Sequence, residues 1–330
     1  MKNIFLNIIL LSLLLPESQV GTTSGNFLGI GVGSRAIAMG GAFCSVHDGP
    51  SVIYWNPGAI SRFENDKFLV SNASWLVDSQ IYFSTYIKKI NDKSLGLYWT
   101  YLDYGREEIT DLSNQNGTGQ YWTAMDYVLG LGLGSKLSDR FSVGAVGKFI
   151  SQRIHYTSAS TFALDLGLHY KTKNDKVRIG MSIANFGPDM AMDGKDLFKK
   201  IDIDPDNSGH NESLVAKLKT DPWPLPLFFR VGTAIEIINT DLLRGTFAVD
   251  TFIPSDDVEI INFGFEFTIL ERSNVQLGYR GLGNPSSEEG FTFGAGTMFY
   301  AGGFDVRLDY SLRTFGLFGN ISNLSLSFIF

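Results

Sequence analysis

Three aspartates at alternate positions, Asp202, Asp204 and Asp206, are the residues of this chain whose type and spacing come nearest to ion chemistry. Carboxylates at the first, third and fifth positions are how a calcium-binding loop begins. The sixth position here is Asn207, where such a loop needs Gly for its sharp turn, and the twelfth is Ser213, where it needs a bidentate Glu. With so much of the ligand set missing, a solvated acidic loop is the plainer reading and no metal is assigned. The four histidines, His47, His155, His169 and His210, show no H-E-x-x-H or other metal spacing. No G-x-S-x-G nucleophile elbow occurs. Gly29-x-Gly31-x-Gly33 runs into Ser34 and lies in no βαβ unit, so it is not a dinucleotide fingerprint. Cys44 is the single cysteine, which rules out an internal disulfide and reads as a small buried hydrophobe. The sequence therefore points to no enzyme and no cofactor. Its net charge of −7 argues against a nucleic-acid partner.

What the chain does carry is alternation. Ile261, Phe263, Phe265, Phe267 and Ile269 alternate with Asn262, Gly264, Glu266 and Thr268. Phe304, Val306, Leu308, Tyr310 and Leu312 alternate with Asp305, Arg307, Asp309, Ser311 and Arg313. Leu324, Leu326, Phe328 and Phe330 alternate with Asn323, Ser325 and Ser327. A strand with one apolar face and one Gly, polar or charged face has lipid on one side and a wet or polar interior on the other. A soluble sandwich alternates too. The count of such strands, their connections and the N-terminal segment argue against it. Fourteen strand candidates follow residue 66, most of them at or above the ~9–11 residues that a tilted strand needs to cross a bilayer. The even-to-odd connections are short, as at Asn91-Asp92, Ser138-Asp139 and Ala301-Gly302-Gly303. Several odd-to-even ones are long, near 105–120, 187–224 and 282–287. Only 18% of the chain is charged, against about 25% in soluble domains, and 36 residues are Gly. The expected fold is all-β: a transmembrane antiparallel β-barrel of about fourteen strands, with outer-membrane lipid around it. Trp75, Trp99, Tyr101, Trp122, Tyr170 and Tyr300 are expected near strand ends as an interfacial girdle.

Residues 1–20 read as a secretory signal, with Lys2 as its basic start and Ile4 to Leu15 as an apolar run too short to span as a helix. Residues 21–65 are Gly- and Ala-rich, lack long alternation and hold the turn Asn56-Pro57-Gly58, which predicts a compact plug of short helices and turns. Residues 66–330 form the barrel. In the plug, Gly40-Gly41 predicts close backbone approach or positive φ. Arg35, if it lies in a lumen, requires a carboxylate, and the inward positions predict Asp165, Glu236, Glu266, Asp305 or Asp309. The loop at 187–224 carries an amphipathic stretch from Leu214 to Leu218 and a Pro-flanked Trp223, a candidate partner-docking element on the outside.

The run from Phe27 to Phe43, through Gly33-Ser34-Arg35-Ala36-Ile37-Ala38-Met39-Gly40-Gly41, and then Asp48 and Tyr54-Trp55-Asn56-Pro57-Gly58, resembles the PorV/PorQ family of outer-membrane proteins. It departs from the family pattern at Ser34 for Ala, at Gly49 for a second Asp, and at Gly58-Ala59 for Ala-Gly. The resemblance over the barrel is one of pattern and strand number. That family is similar in architecture to the fatty acid transporter FadL, a fourteen-stranded barrel with an N-terminal plug. The resemblance implies a location in the cell outer membrane and a role in type IX secretion, binding secretion-system proteins or cargo C-terminal domains. It also implies that the C-terminal Phe330 is an aromatic signal read by the barrel-assembly machinery. The alternative it leaves open is a FadL-like channel for hydrophobic small molecules. An apolar lumen goes with the channel, and a polar, fully plugged lumen with a large docking face goes with secretion.

Overall fold

The computed structural model describes residues 20–203, 206 and 213–330. The segment read as a signal therefore lies outside the described residues, apart from Val20. Fourteen strands close one antiparallel barrel. Seven come before the longest loop: β1 (Lys67–Ser74), β2 (Gln80–Ile90), β3 (Lys93–Glu108), β4 (Tyr121–Lys136), β5 (Phe141–Ile154), β6 (Thr157–Lys171) and β7 (Val177–Phe186). That loop contributes the short strands β8 (Asp193–Gly194), β9 (Phe198–Ile201) and β10 (Leu214–Lys217). The other seven barrel strands are β11 (Phe228–Asn239), β12 (Leu243–Pro254), β13 (Ile260–Ile269), β14 (Ser273–Leu282), β15 (Glu289–Ala301), β16 (Phe304–Phe315) and β17 (Asn320–Ile329). Sequence neighbours pair throughout, β7 pairs with β11, and β17 returns to β1 over the register Lys67↔Ile329 to Ala73↔Asn323. Closure leaves little barrel edge whose backbone groups lipid would have to satisfy; the exception is the stretch 159–163 of β6, on the side facing β7.

The strand sequences explain which face points where. On β4, Leu129, Leu131 and Leu133 point out while Gly130, Gly132 and Gly134 point in. On β13, Asn262, Glu266 and Thr268 are buried inside, and Ile261, Phe265 and Ile269 are exposed outside. Leu131, Leu133 and Phe162 are 57%, 63% and 69% exposed. An apolar band of that extent around the whole circumference is a lipid-facing surface, not a water-facing one.

Four features depart from the sequence expectation. Of the three connections expected to be long, 109–120 and 187–227 are, whereas 283–288 is an ordinary short loop between β14 and β15. The amphipathic stretch from Leu214 forms an extended strand, β10, paired with β9 in a hairpin that the sequence reading did not include. The girdle is only partly as expected. Tyr170 lies outside near the short-turn end, Tyr300 is exposed at that end with the inward parity of Met298, and Trp99 stacks on Tyr101 at 5.5 Å, but midway along β3. Trp75 instead meets the lumenal Arg313 at 4.8 Å, and Trp122 shares the inward parity of Ala124 and Asp126. Lastly, the wall is irregular between β6 and β7. Ala184 and Asn185 together stand opposite Asp165, a bulge in which Asn185 takes φ 69°. Above it β7 ends, and the top of β6 pairs with β8 instead, Thr157 with Gly194 and Ser158 with Asp193.

Candidate functional site

The barrel interior is occupied by residues 26–62. They form 3-10 turns at Asn26–Gly29 and Pro57–Arg62 and short helices at Ser34–Ala38 and Val52–Trp55. The Ser34–Ala38 helix packs on β14 to β17, and the Pro57–Arg62 turn packs on β3 to β7, so the plug bridges the bore. Its motif residues each have a definite seat. Asn56 accepts a hydrogen bond from the Gly58 N–H at 3.0 Å and caps the turn that Pro57 starts. Its amide donates to the Cys44 carbonyl at 2.7 Å and to the Leu168 carbonyl of β6 at 2.8 Å, tying plug to wall. Trp55 donates Nε1–H to the Val32 carbonyl at 3.1 Å, and the Tyr54 hydroxyl donates to the Leu28 carbonyl at 2.8 Å. Gly33 has φ 82°, and a Cβ there would lie 2.7 Å from that of Ser51. Met39 is fully buried, with its carbonyl against Gly264.

The wall meets the plug through glycine. Gly40, with φ 66°, lies so close to β13 and β14 that a Cβ would stand 2.7 Å from the carbonyl oxygens of Phe263 and Tyr279. On the wall side, Gly264 and Gly278 face Met39 and Gly40, Gly144 and Gly167 face the Asn56–Gly58 turn, and Gly180 faces Cys44. This collar of backbone-to-backbone contact is where much of the chain's glycine goes. A side chain on either partner would push the two apart.

The lower, short-turn half of the lumen is polar. Arg35 donates Nε–H to Glu266 of β13 at 2.6 Å and both Nη groups to Asp48, at 2.8 and 3.0 Å. Glu266 is thus the carboxylate that the sequence left among five. Asp165 pairs with Lys148 at 2.7 Å, Asp309 pairs with Arg307 at 3.0 Å, Glu236 is half-buried near the end of β11, and Asp305 is exposed. Inward parity could not separate them, because it carries no height along the barrel. Burial alone would raise the Asp48 carboxyl, but the charge and hydrogen bonds of Arg35 hold it well below the usual carboxylate value. His47, at the underside of the plug, is pushed well below the usual imidazole value by burial, with Arg178 and His169 adding to the effect.

The upper, long-loop half differs by sector. Over β2 to β7 and the start of β11 the lining is richer in apolar side chains: Phe83, Leu102, Val128, Ile150, Ala163 and Phe228 are buried, with Phe27 and Leu28 of the plug beside them and the buried Thr100, Asp126 and Thr161 interspersed on the same strands. A small cavity remains there between Phe27, Leu28, Ile30, Tyr98 and Val128, and Lys148 reaches its edge. The Lys148–Asp165 pair extends to Asn185 at the wall bulge, whose backbone N–H donates to Asp165 at 2.7 Å and whose side chain donates to the Pro226 carbonyl at 2.7 Å. Across the bore lie Arg313–Glu289, at 2.9 Å, and Arg280. Below these, Arg230 sits among the rings of Tyr54, Trp55, Phe228 and Phe252, 4.9–5.5 Å from their centres. Sequence reasoning missed Arg230. Its inward parity beside Phe228 and Phe229 on β11 was the available signal.

The proposed external elements are placed apart from this lumen. Leu214, Leu218 and Trp223 are 43%, 54% and 47% exposed. Leu214 is on the β9–β10 hairpin, Leu218 bonds back to the Leu197 carbonyl, and Trp223 exchanges two 2.8 Å backbone hydrogen bonds with Met190. Asp202 and Asp206 are exposed, Asp204 lies outside the described residues, and among the described residues no cluster of three His, Cys, Asp or Glu is arranged to hold a metal.

No family model and no curated protein matches the chain, so the PorV/PorQ resemblance rests on residues 27–58 alone. Solved structures do match. The toluene transporter TodX of Pseudomonas putida aligns with TM-score 0.57 at 13% identity, covering 91% of this chain and 96% of that one. The toluene transporter TbuX of Ralstonia pickettii aligns with TM-score 0.56 at 12% identity, covering 91% and 97%. A Pseudomonas aeruginosa FadL homologue aligns with TM-score 0.53 at 13% identity, covering 95% and 99%. At these identities the likeness is one of fold: this chain is a plugged, fourteen-stranded FadL-like outer-membrane barrel.

Proposed function

We propose that the protein is an outer-membrane channel for hydrophobic small molecules. One observation carries the reading: the long-loop half of the lumen holds a buried apolar cluster, with Phe83, Leu102, Ala163 and Phe228 on the wall and Phe27 and Leu28 on the plug. A plug that needed only to block the bore would be served by polar contacts on all sides, and a buried apolar lining with polar groups at its edge is how small-molecule sites are built. The neighbours named as toluene transporters support the same class of cargo. Straight passage is closed by the collar, where plug and wall meet backbone to backbone. The wall bulge at Ala184 and Asn185 is where the apolar lining comes nearest to a break in strand pairing, and it is the favoured way out of the lumen.

A secretion role draws support from the resemblance of residues 27–58 and from the exposed Leu214, Leu218 and Trp223. It assigns no work to the apolar sector. The deciding experiment measures uptake of a labelled aromatic hydrocarbon by cells that display the folded barrel, beside a Leu102→Arg variant and a variant lacking residues 190–220. Uptake that Leu102→Arg abolishes in a protein of unchanged heat-modifiable gel mobility supports the channel. Equal uptake by Leu102→Arg and the parent removes it. Loss of protein-partner capture on deletion, with no uptake by the parent, favours secretion.

A further inference from the structure

The short-turn mouth of the barrel holds a cavity that the channel reading does not use. It has a volume of about 500 Å³ and opens between the last turn of the plug and the turns that follow β4 and β6. Its cations are Arg62 of the plug, Lys136 at the end of β4, Arg140 in the β4–β5 turn, Lys171 at the end of β6 and Lys173 just beyond. Its carboxylates are Glu64, Asp139 and Asp175. One of these is already engaged, since Lys171 pairs with Asp175 at 3.2 Å. The pocket is therefore positive in a chain whose net charge is −7. The sign is set locally and is not the sign of the molecule.

The pocket is also built. Arg62 is more than nine-tenths buried and held by two hydrogen bonds, Nε–H to the Ser142 hydroxyl at 3.0 Å and Nη1–H to the Asp139 carbonyl at 2.6 Å. Its Nη2 makes no hydrogen bond, although it is buried. A guanidinium fixed in this way, with donor capacity left over, costs stability unless something answers it. Lys136 and Lys171 have the inward parity of their strands, so the pocket faces the water column of the mouth and not the lipid around the barrel.

We propose that this mouth pocket binds a small soluble anion bearing phosphate groups, taken from the aqueous side of the short turns. Several flexible ammonium groups around one fixed guanidinium suit the spread charge of a phosphate ester or diphosphate better than a single carboxylate. The volume admits a ligand of nucleotide or sugar-phosphate size. The same phosphate chemistry is offered by the headgroup of an anionic phospholipid. The inward parity favours the soluble source, and the test separates the two.

The test titrates inorganic pyrophosphate into the folded, full-length barrel in a zwitterionic detergent, followed by calorimetry at low and at physiological ionic strength. The expected result is saturable binding that weakens as salt rises. Reversing two turn residues that support no strand, in the double variant Arg140→Glu/Lys173→Glu, is expected to lower the affinity at least about tenfold, because like charges then face the anion. Gel mobility reports that the variant barrel still folds. No saturable heat, or equal affinity in the double variant, overturns the proposal. Repeating the titration in nanodiscs with and without phosphatidylglycerol assigns the source: unchanged binding supports the soluble anion, and binding lost to competition transfers the ligand to the lipid and overturns the soluble assignment. None of these readouts depends on hydrocarbon uptake, so failure of the channel reading leaves them standing.

Discussion

Arg35, on the plug, and Glu266, 231 residues later on β13, meet in the lumen through a charge-assisted hydrogen bond of 2.6 Å between Nε and a carboxylate oxygen. Arg35 also grips Asp48 with both Nη groups, and Gln276 donates to the same Glu266 at 3.0 Å. The plug is thus fastened to the wall by a charged, hydrogen-bonded cluster at β13 and by glycine contact at β13 and β14 and again at β5 to β7.

Removing one partner of a buried pair leaves the other charge uncompensated. Glu266→Ala should therefore destabilise the protein by about 3–5 kcal/mol, toward the lower end because Asp48 remains with Arg35. Urea unfolding in detergent micelles measures it. A midpoint shift worth less than ~0.5 kcal/mol would mean the cluster does not hold the plug.

The pH dependence has a definite sign. The folded Asp48 carboxyl lies well below its usual value of 3.8, so its contribution is fully present above about 3.8 and is lost as pH falls further, toward the folded value. Unfolding midpoints should be flat, as far as this residue is concerned, from neutral pH down to about 3.8. A fall in stability between neutrality and mild acid that Asp48→Asn abolishes would contradict the assigned ionisation.

A methyl group at the collar is expected to unseat the plug. At Gly278 a Cβ would stand 2.5 Å from the Met39 carbonyl carbon, a backbone atom that cannot swing aside. Gly278→Ala should cost about 1–3 kcal/mol as overpacking. Gly147→Ala is the control, since nothing lies within 4 Å of a Cβ there. Equal stability of the two variants would show that the collar is loose.

Charge on the outer face should be costly. Leu308, on β16, lies opposite Leu326 and is exposed to lipid, so Leu308→Arg should destabilise by about 2–4 kcal/mol if it lies at the bilayer midplane. The adjacent Asp309 points inward to Arg307 at 3.0 Å, and Asp309→Asn keeps a hydrogen-bonding oxygen there, so it should cost less. Refolding yields into lipid vesicles rank the two. A harmless Leu308→Arg beside a damaging Asp309→Asn would invert the faces.

The barrel was legible because lipid imposes a two-residue period that nothing local can disguise, as on β13 and β17. The plug motif was legible as glycine, with Gly40 and Gly41 both at positive φ as their pairing suggested. Its partners were not. Which wall residue lies opposite Arg35 depends on barrel height and stagger, which residue types do not encode. The bulge at Asn185 stayed hidden because Asn in the left-handed region breaks no hydrophobic pattern. The β9–β10 hairpin stayed hidden because four-residue strands carry too few positions to show a period.

The collar has a consequence for how the molecule comes into being. Its wall glycines lie on β5, β6 and β7 and again on β13 and β14, on both flanks of the β1–β17 seam. A cylinder already closed offers no clearance for a plug that touches it backbone to backbone on opposite sides. The segment from Asn26 to Arg62 precedes every strand in the chain, so it is on hand when the first strands pair. This geometry calls for it to act as a mandrel, with the sheet wound about it and the seam sealed last.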